Sequence, residues 1–187
     1  MKHTIEVIKI EECFCSDYIK PKSMYYLHNS VEKRWDIVHT HDSVAILLYH
    51  ASLDCFVFVK QFRPSIYLKN NDGFTYELCA GIVDKDKTLI EIAQEEVLEE
   101  TGYAIPLEQL SKIASFYTAV GFAGGRQTLY YAIIDESMKV SEGGGVESEN
   151  IEVIYVKREE TLAFMFNEEH ATTSGLMFAL MWYFKHH

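Results

Sequence analysis

Arginine is scarce in this chain: only Arg34, Arg63, Arg126 and Arg158 occur among 187 residues. Acidic side chains outnumber basic ones 28 to 17, for a formal net charge of −11. A surface for DNA or RNA neutralises phosphates with clustered Lys and Arg, so no nucleic-acid partner is expected. Proline and glycine are also few, 3 and 10, which excludes collagen-like and low-complexity chains. The four cysteines, Cys13, Cys15, Cys55 and Cys79, form no C-x-x-C pair and stand with no histidine at finger spacing. Neither a structural zinc site nor a disulfide framework is expected, and the thiols read as free in a reducing compartment. Long apolar runs are missing too. The longest, residues 176–184, has nine residues, whereas a membrane span needs about 20. Residues 1–10 alternate polar and apolar side chains and lack the apolar core of a signal peptide. These absences predict a cytoplasmic protein with no membrane partner.

What is present is an ordinary globular composition, 48% hydrophobic and 24% charged, in a chain of one-domain length. Short segments rich in Val, Ile, Tyr and Phe predict strands over residues 5–10, 24–27, 35–40, 43–49, 55–62, 74–79, 127–134 and 152–156. The two flanking the polar stretch at 50–54 predict a hairpin. Helical periodicity appears over 88–101, 159–167 and 173–185, with a short turn at 107–112. Many strands and few helices predict an α+β fold with a mixed sheet. Residues 1–40 read as a separate β arm and 41–187 as the main domain.

The segment 88–101 carries the chemistry. Thr88 and Glu91 make a T-x-x-E start, and Gly102 offers a left-handed stop. With Glu96 at zero on a wheel of about 100° per residue, Leu89 falls near about 20°, Ala93 near about 60°, Glu100 near about 40° and Glu99 near about 300°. The carboxylates of Glu96, Glu99 and Glu100 therefore share the apolar face, where a solvated acidic stripe would not lie. Like charges one turn apart repel, and partial burial makes this worse. Positive charge must compensate them. All-oxygen donors suit a hard cation such as Mg²⁺ or Mn²⁺; a brace of Lys or Arg from elsewhere in the chain is the other reading.

Gly81, five residues, Lys87, seven residues, then Glu95-Glu96-Val97-Leu98-Glu99-Glu100-Thr101-Gly102-Tyr103 resembles the Nudix box, G-x5-E-x7-R-E-U-x-E-E-x-G-U. Two positions depart from it: Lys87 stands where the box has Glu, and Glu95 where it has Arg. Val59-Lys60-Gln61-Phe62-Arg63-Pro64 and Glu77-Leu78-Cys79-Ala80-Gly81 are similar to segments of the nucleoside diphosphate sugar branch, which has Pro where Cys79 stands. GGGVESENI from Gly143 looks like the acidic loop that closes over the diphosphate in that branch, and WDIVHTHDSV from Trp35 and GFAGGRQT from Gly121 look most like its UDP-glucose diphosphatase subgroup.

The resemblance implies an α/β/α Nudix sandwich and Mg²⁺-dependent hydrolysis of the diphosphate of a nucleoside diphosphate sugar. UDP-glucose is favoured, because Gly125 stands where ADP-ribose enzymes carry a Glu before the Arg. ADP-ribose hydrolysis and a non-catalytic binding module, to which the departures at Lys87 and Glu95 would point, are the alternatives. By the same resemblance, Glu96, Glu99, Glu100 and the Ala80 carbonyl hold the metal, and of Glu147 and Glu149 one is a further ligand and the other the water-activating base, with Glu149 favoured as ligand and Glu147 as base. Arg63 and Arg126 would bind the diphosphate, and Trp35 would stack on the base. Members of the branch are homodimers that exchange N-terminal strands, and residues 1–40 are placed for such an arm.

Overall fold

A computed structural model describes residues 5–16, 19–146 and 149–187. Its organising element is β3 (Ser43–His50), the apolar run SVAILLYH, buried along nearly its whole length. A strand that presents apolar side chains alternately to both faces must be covered on both. Val44, Ile46 and Leu48 face one cluster, which also takes in Ile92, Ala93 and Val97 of the carboxylate helix. Ala45 and Leu47 face the other, built on Met165, Leu176, Ala179, Leu180 and Tyr183.

Around β3 the strands form a seven-stranded mixed sheet. β4 (Cys55–Phe62) pairs antiparallel with β3, with β5 (Phe74–Glu77) and with β9 (Glu152–Lys157). β6 (Cys79–Ile82) runs antiparallel to the first half of β3. β8 (Arg126–Ile134) runs parallel to β3, and β7 (Ser111–Tyr117) closes that side antiparallel to β8. Helices α1 (Pro64–Asn70), α2 (Leu89–Glu96), α3 (Thr161–Met165) and α4 (Ser174–His186) complete the chain. The α+β class with a mixed sheet covered on both faces matches the expected sandwich.

β1 (Pro21–His28) and β2 (Val31–Val38) form a separate two-stranded hairpin. Its turn residues Asn29 and Ser30 both have positive φ, 51° and 64°, the geometry that matches strand twist in a two-residue loop. The hairpin docks through the Val38 N–H to the Phe122 carbonyl, 2.8 Å, and the Trp35 indole N–H to the Gly121 carbonyl, 2.7 Å.

Several expectations need correction. Residues 5–10 form no strand; they are exposed and lie beside α1, because alternation alone supplies no partner edge. β7 and α1 escaped the sequence reading. The turn expected at 107–112 is a 3₁₀ turn, Leu107–Gln109, that leads straight into β7. The single strand expected over 74–79 breaks at Leu78 into β5 and β6, which pair with different neighbours. Finally, the helix over 88–101 is not uniform: after Glu96 it opens into a π turn, Val97–Thr101.

Candidate active site

The helix forms for the reasons its sequence offers. The Thr88 hydroxyl accepts from the Glu91 N–H, and the Glu91 carboxylate accepts from the Thr88 N–H at 2.8 Å, a complete capping box. Gly102 ends the π turn with φ of 77°. The π turn decides which carboxylates meet. Closure over five residues advances each residue by less than the α-helical 100°. Three steps from Glu96 therefore fall further short of a full turn, and four steps land closer to it. Glu100 comes into line with Glu96, while Glu99 is carried aside. Such turns recur at functional sites.

β6 brings the other half of the site. The Ala80 N–H donates to Glu100 Oε2 at 2.9 Å. At Gly81 the Glu96 side chain packs so closely that a Cβ would run into its carboxylate, which explains the glycine that opens the box. Glu100 is only 4% exposed. Burial pushes its carboxyl up to about 8, opposed by the Ala80 N–H and the Cys79 thiol and reinforced by Glu96 and Glu149. Burial, then neighbouring Glu99, also raises Glu96.

The loop after β8 returns to this point. Gly144 and Gly145 donate their N–H groups to the carbonyls of Glu100 and Glu99, at 2.9 and 3.0 Å. Those carbonyls end a helix and have no partner within it. Gly143 has φ of 71°, and a Cβ there would strike the Glu100 carbonyl. The glycines thus serve close docking on the helix end, and the docking carries Glu149 to the site. Glu149 Oε2 accepts from the Val146 N–H at 3.0 Å. Glu147 lies outside the described residues.

Arg63, Ala80, Glu96, Glu100 and Glu149 all line one cavity of about 390 Å³. Ser43, Gln61, Glu77 and Gln127 line it as well; the sequence reading gave them no role. Gln61 and Glu77 stand inside the two segments quoted beside the box, which was the available signal. Ser43 and Gln127 are brought together by the parallel β3–β8 register, where Gln127 Nε2 donates to Ser43 Oγ at 3.4 Å. Arg63 forks onto Glu77, Nε to Oε1 and Nη2 to Oε2, both 2.8 Å.

Three expected site residues do not line the cavity. Glu99 lies to one side of it. Arg126 is exposed, with its backbone N–H on Asp42 Oδ1 at 2.9 Å. Trp35 is 55% exposed and commits its indole N–H to Gly121. A larger hollow, about 640 Å³, lies between the N-terminal segment and α1 and contains none of the box carboxylates.

The donor set fits a hard divalent cation. Among the described residues no Lys or Arg forms an ion pair with Glu96, Glu99, Glu100 or Glu149. Nor, among those residues, do three such side chains already stand at metal-binding spacing, as expected of mutually repelling carboxylates. The alternative brace of cations is only partial: Lys85 lies within electrostatic reach of Glu99 and Glu96 but forms no ion pair with either. Lys87 pairs with Glu95, and Lys85 Nζ lies 3.4 Å from the other oxygen of the same carboxylate. The two departures from the box are thus partners of each other, with the signs exchanged.

No protein-family model matches the chain. Curated relatives do. Uridine diphosphate glucose pyrophosphatase NUDT14 of Bos taurus is 33% identical over 209 residues, spanning 96% of this chain and 94% of the relative. Its Mus musculus counterpart is 34% identical over the same span. GDP-mannose pyrophosphatase of Salmonella typhimurium is 31% identical over 162 residues, 82% of each chain. The chain belongs to the Nudix hydrolases. In this Nudix hydrolase the box glutamates Glu96, Glu99 and Glu100 are present, and the two departing positions, Lys87 and Glu95, form a pair of reversed sign.

Proposed function

We propose that this Nudix hydrolase cleaves the diphosphate of UDP-glucose to UMP and glucose 1-phosphate, with Mg²⁺ as cofactor and Mn²⁺ as a substitute. One observation carries the reading: one cavity is lined both by Glu96, Glu100 and Glu149, which among the described residues have no Lys or Arg ion-pair partner, and by the Arg63 guanidinium. The first suits a cation and the second a phosphate. Relatives named for UDP-glucose, matched over nearly the full length of both chains, support the choice of nucleotide sugar. GDP-mannose is the second reading, because further relatives carry that name.

Glu96, Glu100, Glu149 and the Ala80 carbonyl would hold the metal, with Glu99, beside Glu96, as a further candidate donor. When bound, the metal would supply charge neutralisation for the diphosphate and Lewis acidity toward the attacking water. The chain's own residues do the rest. Arg63 binds the diphosphate, and Glu147 accepts the proton of the attacking water. The bond from one phosphorus to the bridging oxygen breaks, and the bridging oxygen leaves on the other phosphate. Arg126 and Trp35 serve the phosphate and the base from outside the cavity rim. The protein works in the cytoplasm as a homodimer, with residues 1–40 as the dimerisation arm of the domain at 41–187.

The test is phosphate-coupled hydrolysis of UDP-glucose, GDP-mannose and ADP-ribose with Mg²⁺, wild type beside Glu100→Gln. UDP-glucose should turn over fastest, and the variant should lose on the order of 10²-fold or more in kcat. Equal rates in both proteins would remove Glu100 from the site, and faster turnover of GDP-mannose would move the substrate to the second reading.

A further inference from the structure

We propose that Glu77 is a positioning residue that acts through Arg63: it holds the guanidinium at the cavity rim and keeps it off the metal-side carboxylates. The inference rests on the diphosphatase reading above. Arg63 is fixed from below. Its N–H donates to the Gly73 carbonyl at 2.7 Å, its carbonyl accepts from Ile66 and Tyr67, and Pro64 starts α1 directly after it. Among the described residues its side chain is hydrogen-bonded on one edge, by the two 2.8 Å bonds to Glu77. Glu77 is in turn pinned by the Thr75 hydroxyl, which donates to Oε1 at 2.5 Å. Both residues are buried, Glu77 at 9% exposed and Thr75 at 4%.

A guanidinium has five N–H donors in a rigid fork. Glu77 takes one from Nε and one from Nη2. The other three, two of them on Nη1, belong to edges that Glu77 does not face, and that is the bidentate geometry a phosphate accepts. The alternative resting place for Arg63 is close by. Glu100 and Glu149 line the same cavity and lie within electrostatic reach of the guanidinium. A freed Arg63 would swing onto them and take the position where cation and diphosphate must meet. Glu77 prevents this by offering a buried, two-pronged, charge-assisted partner. Its own buried charge is paired by the same contact.

The test is a cycle of Glu77→Gln, Arg63→Ala and the double variant, read in two ways. In UDP-glucose hydrolysis, Glu77→Gln should raise KM about tenfold or more and leave kcat within about threefold, since binding is lost before chemistry. Added to Arg63→Ala, the same change should do nothing beyond about twofold, because the two residues act as one unit. In titrations with Mn²⁺ alone, Glu77→Gln should bind at least about fivefold more weakly as Arg63 competes for the carboxylates. The double variant should regain wild-type affinity.

Wild-type KM and Mn²⁺ affinity in Glu77→Gln would overturn the proposal. So would a further rise in KM when Glu77→Gln joins Arg63→Ala. Should Glu77→Gln not fold, the double variant, which buries no unpaired charge, still decides the matter against Arg63→Ala. A wild-type protein that hydrolyses no nucleoside diphosphate sugar sinks the functional reading. The Mn²⁺ titrations need no substrate and then judge the role of Glu77 by themselves.

Discussion

A carboxylate that is buried among other carboxylates, yet accepts a backbone N–H, is subject to opposed forces, and in Glu100 burial wins. Its carboxyl titrates at about 8 in the folded protein, against an ordinary value of 4.5. The folded state therefore keeps a proton that the unfolded chain has lost throughout that window. Stability of the metal-free protein is greatest below the window and falls as pH rises through it. A divalent cation needs the ionised form, so its binding strengthens with pH and releases protons. The metal-free thermal midpoint should fall between about pH 5 and about pH 8, and Glu100→Gln should flatten that fall. Mg²⁺ should raise the wild-type midpoint more at the upper pH. Parallel wild-type and Glu100→Gln profiles would show that Glu100 ionises normally. Its burial could be anticipated from the wheel, but the Ala80 N–H and the Cys79 thiol reach it only through the β3–β6 pairing.

At the scale of the element, the helix and the loop that feeds it are tied by charge. Lys85 and Lys87 lie between β6 and α2, and both reach Glu95. They strap the loop across the helix one residue before Glu96, and so hold the Ala80–Gly81 corner against the carboxylate face. The pair is partly exposed, so solvent screens it and its coupling should be modest. Lys87→Glu or Glu95→Lys alone should each set like charges together and lower the thermal midpoint, with a loss of turnover. Lys87→Glu with Glu95→Lys should restore both. Strictly additive effects in this cycle would show that the pair does not brace the helix. A sequence pattern marks each departure separately; it does not show that the loop before α2 folds back so that Lys87 meets Glu95, eight positions on. The π turn was equally hidden. Val97-Leu98-Glu99-Glu100-Thr101 has α-helical spacing, and only the docking of Tyr103 and the 143–145 loop against its end accompanies the wider turn.

For the whole molecule, the N-terminal hairpin is the part that the main sheet does not account for. Two-stranded sheets are marginal alone, and this one exposes Met24, Tyr25, Leu27, Val31 and Trp35. It touches the domain through the 119–125 loop. Light scattering on the full chain should give twice the chain mass. A variant lacking residues 1–40 should give the single mass and still unfold cooperatively through the β3-centred core. A full chain of single mass would leave the hairpin without the proposed role. Among the described residues no helix is long and apolar enough to cross a membrane.

By itself the sequence determined the elements whose signals are local. The capping box at Thr88, the glycine stop at 102, the strand at β3 and the acidic face of the helix all follow from neighbours a few residues apart. So did the family resemblance, which is a matter of spacing. The tertiary structure decided what depends on distant segments meeting. The parallel β3–β8 register brings Ser43 and Gln127 to one cavity, and the β4–β5 ladder sets Glu77 against Arg63. The π turn selects Glu96 and Glu100 over Glu99, and backbone bonds from a glycine loop deliver Glu149. Side-chain type and local period are written in the chain, but which groups share a cavity depends on contacts that only the packed sheet and helices create.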